Sequence, residues 1–296
     1  MSVRLAVFTK NRSNPAYAAA RLGADRVAQR LGATTVHYVP EAFDDPVEQS
    51  ALVDAALATR PDGIVFTPTH PTRVNDALLR IAAARVPLTG FVNPIPAGPC
   101  VAYVGADDGR LGTAIAQRLC AQLGGRGRVL LVSGPAESVT SIARVRAFAA
   151  AATAFSGIAI AGTVIGDYRE DTARRRVAAW LSTNAPVDGI CAANDVMAIG
   201  ALGALADAGQ SATVVGVNAI PEAIAAIRAG RLLATADFNA MWMCALATEC
   251  LVRHLRGEAV PATVELPVEL VDASNAARWD LPYAARAIPT LEETLA

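Results

Sequence analysis

The stretch "VDGICAAND", Val187 to Asp195, decides the fold: an acidic residue and a glycine open a short apolar run that ends on Asn194 and Asp195. The stretch "PDGIVFTPT", Pro61 to Thr69, is built the same way. In each, the apolar run has strand length and helix-start signals follow it. A chain that makes this edge twice is expected to hold two copies of one architecture.

Working outward, runs rich in Val, Ile and Leu alternate with amphipathic helical stretches, the pattern of parallel sheets covered by helices on both faces. The fold class is α/β. The first half reads as strand Arg4 to Phe8, helix Pro15 to Leu31, strand Thr35 to Val39, helix Pro46 to Thr59, strand Gly63 to Phe66, helix Thr72 to Ala84 and strand Pro87 to Val92. Gly32 and Pro61 stop the first two helices. After the bridging "VAYVGADDGRLG" the order begins again: strand Arg128 to Val132, helix Val139 to Ala154, strand Ile158 to Ile165, helix Asp171 to Thr183, strand Gly189 to Ala192, helix Val196 to Ala208 and strand Thr213 to Val217. "TGFVN", ending at Asn93, and "VVGVN", ending at Asn218, form a second matched pair. In open parallel sheets ligands bind outside the carboxyl ends of the strands, so Thr67, Asn93, Asn194 and Asn218 line such an edge in each half. If the halves face each other, the edges form one cleft.

Composition bounds what that cleft can serve. A chain of 296 residues with 53% hydrophobic residues can bury two cores of ordinary domain size. A formal charge of -1 gives no footprint for nucleic acid or an anionic membrane surface. No apolar run approaches the ~20 residues that span a bilayer. The start, "MSVRLAVF", enters a strand with no export signal ahead of it, so the chain is expected either to be cytoplasmic or to have had a signal trimmed. Five cysteines without paired spacing read as buried thiols, and with three scattered histidines no metal site is expected.

These residues resemble a known family, the type I periplasmic binding proteins of sugar ABC transporters, close to the ribose-binding protein and to the ligand-binding core of LacI-type repressors. The likeness runs from "LAVFTKNRSNPAYAAARLGADRVA" through "VDGICAANDVMAIGAL" and "VVGVNAIPEAIAAIRAGRL" to "NAMWMCALA". It implies two Rossmann-like lobes joined by a three-segment hinge, 1–106 plus 239–267 against 107–238 plus 268–296. These would close on a small sugar or polyol and deliver it to a membrane permease, the protein acting in the periplasm as a monomer without cofactor or turnover. The tail "RWDLPYAARAIPTLEETLA" is longer than the family usually carries and is expected to pack on the surface through Trp279 and Tyr283.

Carried over by position, the resemblance places Thr9, Asn14 and Tyr17 after the first strand, with Ala16 replacing a family aromatic. Arg144 matches the family arginine four residues before Phe148, Tyr168 an aromatic of the second lobe, and Asn194 the family asparagine. Where the ribose-like pattern has an Asp-Arg pair this chain has Val92 and Asn93, for a second aspartate it has Asn218, and for a glutamine it has Phe238. The set has lost carboxylates, and amides suit a different pattern of hydroxyls. Independently of family, amides that both donate and accept, two tyrosines to cover C–H faces and the fixed donors of Arg144 suit a neutral polyhydroxylated molecule. Lys10, the only lysine, lies at the tip of the first strand, where it reads either as a ligand contact or as a solvated loop charge.

Plainer readings exist for each residue. Asn194 with Asp195 is also an N-cap and first-turn acid, Arg144 a helix-surface charge and Asn93 a turn former before Pro94. The correspondence of strand ends in both halves favours the site. Enzyme readings find no support: "GGRGR" at Gly124 precedes a strand, and no Walker-type loop or G-x-S-x-G elbow occurs. The other reading is a sugar sensor or regulator core without a DNA-binding module.

Overall fold

Strand and helix alternate from Val3 onward. The computed structural model describes residues 3–295, and the chain divides into two units. The first begins with β1 (Val3–Phe8), α1 (Pro15–Arg30), β2 (Ala33–Tyr38), α2 (Pro46–Ala58), β3 (Gly63–Phe66), α3 (Asn75–Ala83), β4 (Leu88–Phe91) and β5 (Ala102–Gly105). The second holds α4 (Asp108–Gln122), β6 (Arg126–Ser133), α5 (Val139–Ala152), β7 (Gly157–Ile165), α6 (Glu170–Thr183), β8 (Gly189–Ala192), α7 (Asp195–Asp207), β9 (Thr213–Val217), α8 (Pro221–Arg228) and β10 (Ala234–Asp237). Then α9 (Ala240–Leu255) and β11 (Thr263–Glu265) return to the first unit, β12 (Glu269–Asp272) to the second, and α10 (Leu291–Leu295) to the first.

Each unit builds one six-stranded sheet, ordered β11-β5-β4-β3-β1-β2 and β12-β10-β9-β8-β6-β7. All pairings are parallel except that of β12 with β10. Strand order reverses beside β1 in one sheet and beside β6 in the other. At such a switch point the connecting loops part, and the carboxyl ends of β1 and β3, or of β6 and β8, are left open to a ligand.

The repeated opening stretches now have a physical reason. Asp62 accepts the backbone N–H of Arg4 through Oδ2 at 2.7 Å, and Asp188 does the same for Arg128 at 2.7 Å. Each acid thus secures an N–H near the start of the strand beside its own. The glycine that follows admits a neighbour: a Cβ on Gly63 would lie 2.9 Å from Leu251, and one on Gly189 3.1 Å from Leu123. The four residues of β3 and the four of β8 are buried throughout, as central parallel strands require.

Three differences from the sequence reading stand out. The α3 helix starts at Asn75, not Thr72, because the His70 ring accepts the N–H groups of Thr72 and Arg73 and holds them in a turn. Cys100 is exposed whereas the other four cysteines are buried, and all five are free thiols. The tail does not group with the second unit throughout: residues up to Pro282 do, but from Tyr283 it joins the first. Trp279 is buried and donates Nε1–H to Asp237 at 2.8 Å. Beyond it, the carbonyls of Arg286 and Ala287 accept from Arg26 (2.7 Å) and Trp242 (2.8 Å).

Candidate functional site

In the first unit the loop after β1 carries Thr9, Lys10 and Asn14, all buried. Thr9 Oγ1 accepts from Arg21 at 2.8 Å. Lys10 is not a solvated loop charge: it is 4% exposed and its Nζ lies 3.0 Å from Asp44 Oδ2. Asn11, which the sequence reading passed over, donates to the other Asp44 oxygen at 2.5 Å and accepts the N–H of Asn14 at 2.9 Å. Asn14 caps α1 by accepting from Ala16, and Tyr17 is buried in the first turn behind it.

At the ends of β3 and β4, Thr67 and Asn93 are tied together. Buried Gln49 donates to the Thr67 carbonyl (3.0 Å) and accepts from Thr69 N (2.9 Å), while Asn93 Nδ2 donates to the Pro68 carbonyl (2.8 Å). These bonds leave Thr67 Oγ1 and Asn93 Oδ1 buried without a partner.

The second unit brings Arg144, Tyr168, Asn194, Asn218 and Phe238 to the corresponding ends of its strands. Arg144 is 3% exposed, which overturns the helix-surface reading. It donates to Asp108 Oδ1 (2.7 Å) and to the Ala193 carbonyl (2.8 Å), and lies 5.2 Å over the Phe238 ring. Burial pushes the Asp108 carboxyl up, against the lowering by Arg144. The Tyr168 hydroxyl meets Thr140 Oγ1 at 2.9 Å, and its ring covers Gly134, where a Cβ would come within 2.5 Å.

Asn194 caps α7 through Oδ1, which accepts from Met197 N at 2.9 Å, so it is Nδ2 that can serve a ligand. Capping and binding readings are therefore compatible. Asn218 has φ 127° and leaves Oδ1 buried without a partner.

Backbone strain marks the same places. Nine described residues other than glycine have positive φ. Only Arg60 and Arg85 lie away from the candidates: Asp44 pairs with Lys10, Val92 precedes Asn93, Asp167 and Tyr168 sit together, Asn218 precedes Ala219, and Asn239 follows Phe238. Strained backbone persists where the surroundings over-determine it, and it gathers at ligand sites. Sequence reasoning missed Asn11, Asp44 and Asp108. Only the "ADDG" and "FDD" clusters carried any signal for the acids.

A family model described as a periplasmic binding protein domain matches residues 5–259. The chain belongs to the periplasmic binding protein family. Among curated relatives of this binding protein, the ribose import binding protein of Escherichia coli is 28% identical over 272 residues, covering 91% of this chain and 90% of its own. A xylitol-binding protein of Mycolicibacterium smegmatis is 24% identical over 200 residues, covering 67% and 57%. Among solved structures, an ABC transporter solute-binding protein of Mycobacterium smegmatis with bound glycerol superposes at a TM-score of 0.87. Its identity is 26%, over 94% of this chain and 96% of that one. Fold class and family agree with the sequence reading.

Proposed function

We propose that this periplasmic binding protein captures a small neutral sugar or polyol with the groups at its two sheet edges and hands it to an ABC transporter permease, working in the periplasm as a monomer without chemical turnover. The observation that carries the reading is the set of buried oxygens with no partner at strand ends, Thr67 Oγ1, Asn93 Oδ1 and Asn218 Oδ1. A buried polar oxygen left unpaired costs roughly 1–3 kcal/mol, so three of them at strand ends call for a molecule that donates. Hydroxyl groups donate, and amides answer them by donating as well as accepting.

Neutrality of the ligand is supported by the pairing of the cations. Lys10 faces Asp44 and Arg144 faces Asp108, so each of these two cations already has a carboxylate partner. The relatives that bind ribose and xylitol, and the structure with glycerol, point to the same class.

A thermal-shift screen over tetritols, pentoses, pentitols, hexoses, hexitols and aldonic acids tests it. A ligand at ~100 times its dissociation constant adds about 2.7 kcal/mol to the stability of the folded state, a readily visible shift. The ligand should then be recovered chemically unchanged. A shift confined to the aldonic acids would overturn the neutral-ligand reading, and no shift with any member would overturn the function.

A further inference from the structure

Asp195 follows Asn194 in sequence but faces the other way. It is fully buried at the start of α7, and it receives donors from two elements: Thr235 Oγ1 on β10 at 2.7 Å to Oδ1, and the N–H of Ile220 at 3.1 Å to Oδ2. Thr235 in turn accepts the N–H of Ala219 at 3.2 Å. The turn so held, Asn218–Ala219–Ile220, has its first two residues at φ 127° and 52°, conformations an unsupported chain of non-glycine residues leaves readily. The space for this arrangement is specific, since a Cβ on Gly216 would come within 2.3 Å of Asp195 Oδ1.

We propose that Asp195 is the positioning residue for Asn218: through Ile220 N–H and Thr235 it fixes the left-handed turn and thereby aims the unpartnered Asn218 Oδ1 at the ligand. The donors in the network point toward the Asp195 side chain, and its hydrogen bonds go to Thr235 and Ile220, not to a residue of the proposed ligand set. Without the clamp, Ala219 and Ile220 lose a defined place for their N–H groups, the turn relaxes, and the amide no longer arrives in one orientation. An asparagine at 195 has nearly the same shape: its oxygen can accept from Ile220 and its amide can donate to Thr235. The second half of the proposal rests on Asn218 being a ligand contact.

Two measurements separate the halves. In the ligand-free protein, amide hydrogen exchange at Ala219 and Ile220 should quicken at least tenfold in Asp195→Ala and in Thr235→Val, and stay near wild type in Asp195→Asn. Calorimetry with D-ribose and with xylitol should show Asp195→Ala binding weaker by roughly ten- to a hundredfold, the effect of one or two buried hydrogen bonds, with Asp195→Asn restoring most of it. In an Asn218→Ala background the Asp195→Ala effect should vanish, which a general loss of folding would not produce.

Unchanged protection in both clamp variants overturns the positioning itself. Effects that add in the double variant overturn the route through Asn218. If wild type binds neither probe, the ligand reading of Asn218 falls for pentoses and pentitols, while the exchange result still decides whether Asp195 holds the turn. Should Asp195→Ala not fold, Thr235→Val carries both arms.

Discussion

A buried arginine is held by what it faces, and Arg144 faces an acid, a carbonyl and a ring. Arg144→Ala should weaken sugar or polyol binding by roughly 2–4 kcal/mol, read by calorimetry, because charge-assisted donors are lost from the second unit. It should also lower stability by roughly 1–3 kcal/mol in urea unfolding, since the half-buried Asp108 is left without its partner. Unchanged binding together with unchanged stability would remove Arg144 from the site.

Asp195 gives a pH prediction of opposite character. Burial pushes its carboxyl up to about 7 against the Thr235 and Ile220 hydrogen bonds, and the charge of Asp237 pushes the same way. The folded state therefore holds this proton more tightly than the unfolded chain. The stabilising contribution is complete below about pH 4 and is lost as pH rises through about 7, by roughly 2–4 kcal/mol in all. Urea unfolding of Asp195→Asn should lack that part of the fall between pH 5 and 8, and an equal fall in wild type and variant would count against it. At this scale the sequence reading was partial. The strand-end amides were legible because a repeat exposes them, whereas Asp195 read as a helix-start acid, since the partners that bury it lie 25 and 40 residues away.

Among elements, α1 and α9 come close together where α1 has a glycine. A Cβ on Gly23 would lie 2.4 Å from the Met241 carbonyl oxygen, a backbone atom that moves only if the helices part. Gly23→Ala should therefore destabilise by about 1–3 kcal/mol despite alanine's better helix propensity, and chemical denaturation checks it. A neutral or stabilising result would mean the helices separate freely. The β3, β8 and β9 strands were legible to the residue, because acidic, glycine and proline punctuation brackets continuous apolar runs. The short β11 and β12 were not. Their three and four residues owe their conformation to β5 and β10, partners that no local pattern reveals.

Over the whole molecule, the tail serves both units, and its two parts should be separable. Ending the chain at Pro282 removes the carbonyl acceptors of Arg26 and Trp242 and the Glu292 partner of Arg253, all in the first unit. The Trp279–Asp237 bond of the second unit remains. Hydrogen exchange should accelerate in α1 and α9 while the second sheet keeps its protection, and uniform acceleration would show that the tail has no preferred unit. The tail's role was unreadable in sequence because its acceptors answer side chains up to 260 residues earlier.

The return of the chain to the first unit has a consequence for the order of biosynthesis. Thr89 on β4 donates its hydroxyl to the Ala247 carbonyl, and Gly63 on β3 lies beneath Leu251, so α9, beside α1, covers the middle strands of the sheet that begins at Val3. A ribosome that has finished β4 must add about 160 more residues, roughly ten to thirty seconds at ~5–20 residues per second, before that helix exists. During that interval the second unit's elements emerge, yet β3 and β4 lack the helix that packs on them. Until its own sixteen-residue lid is made, a nascent chain in that condition leaves the residues beneath that lid open to solvent.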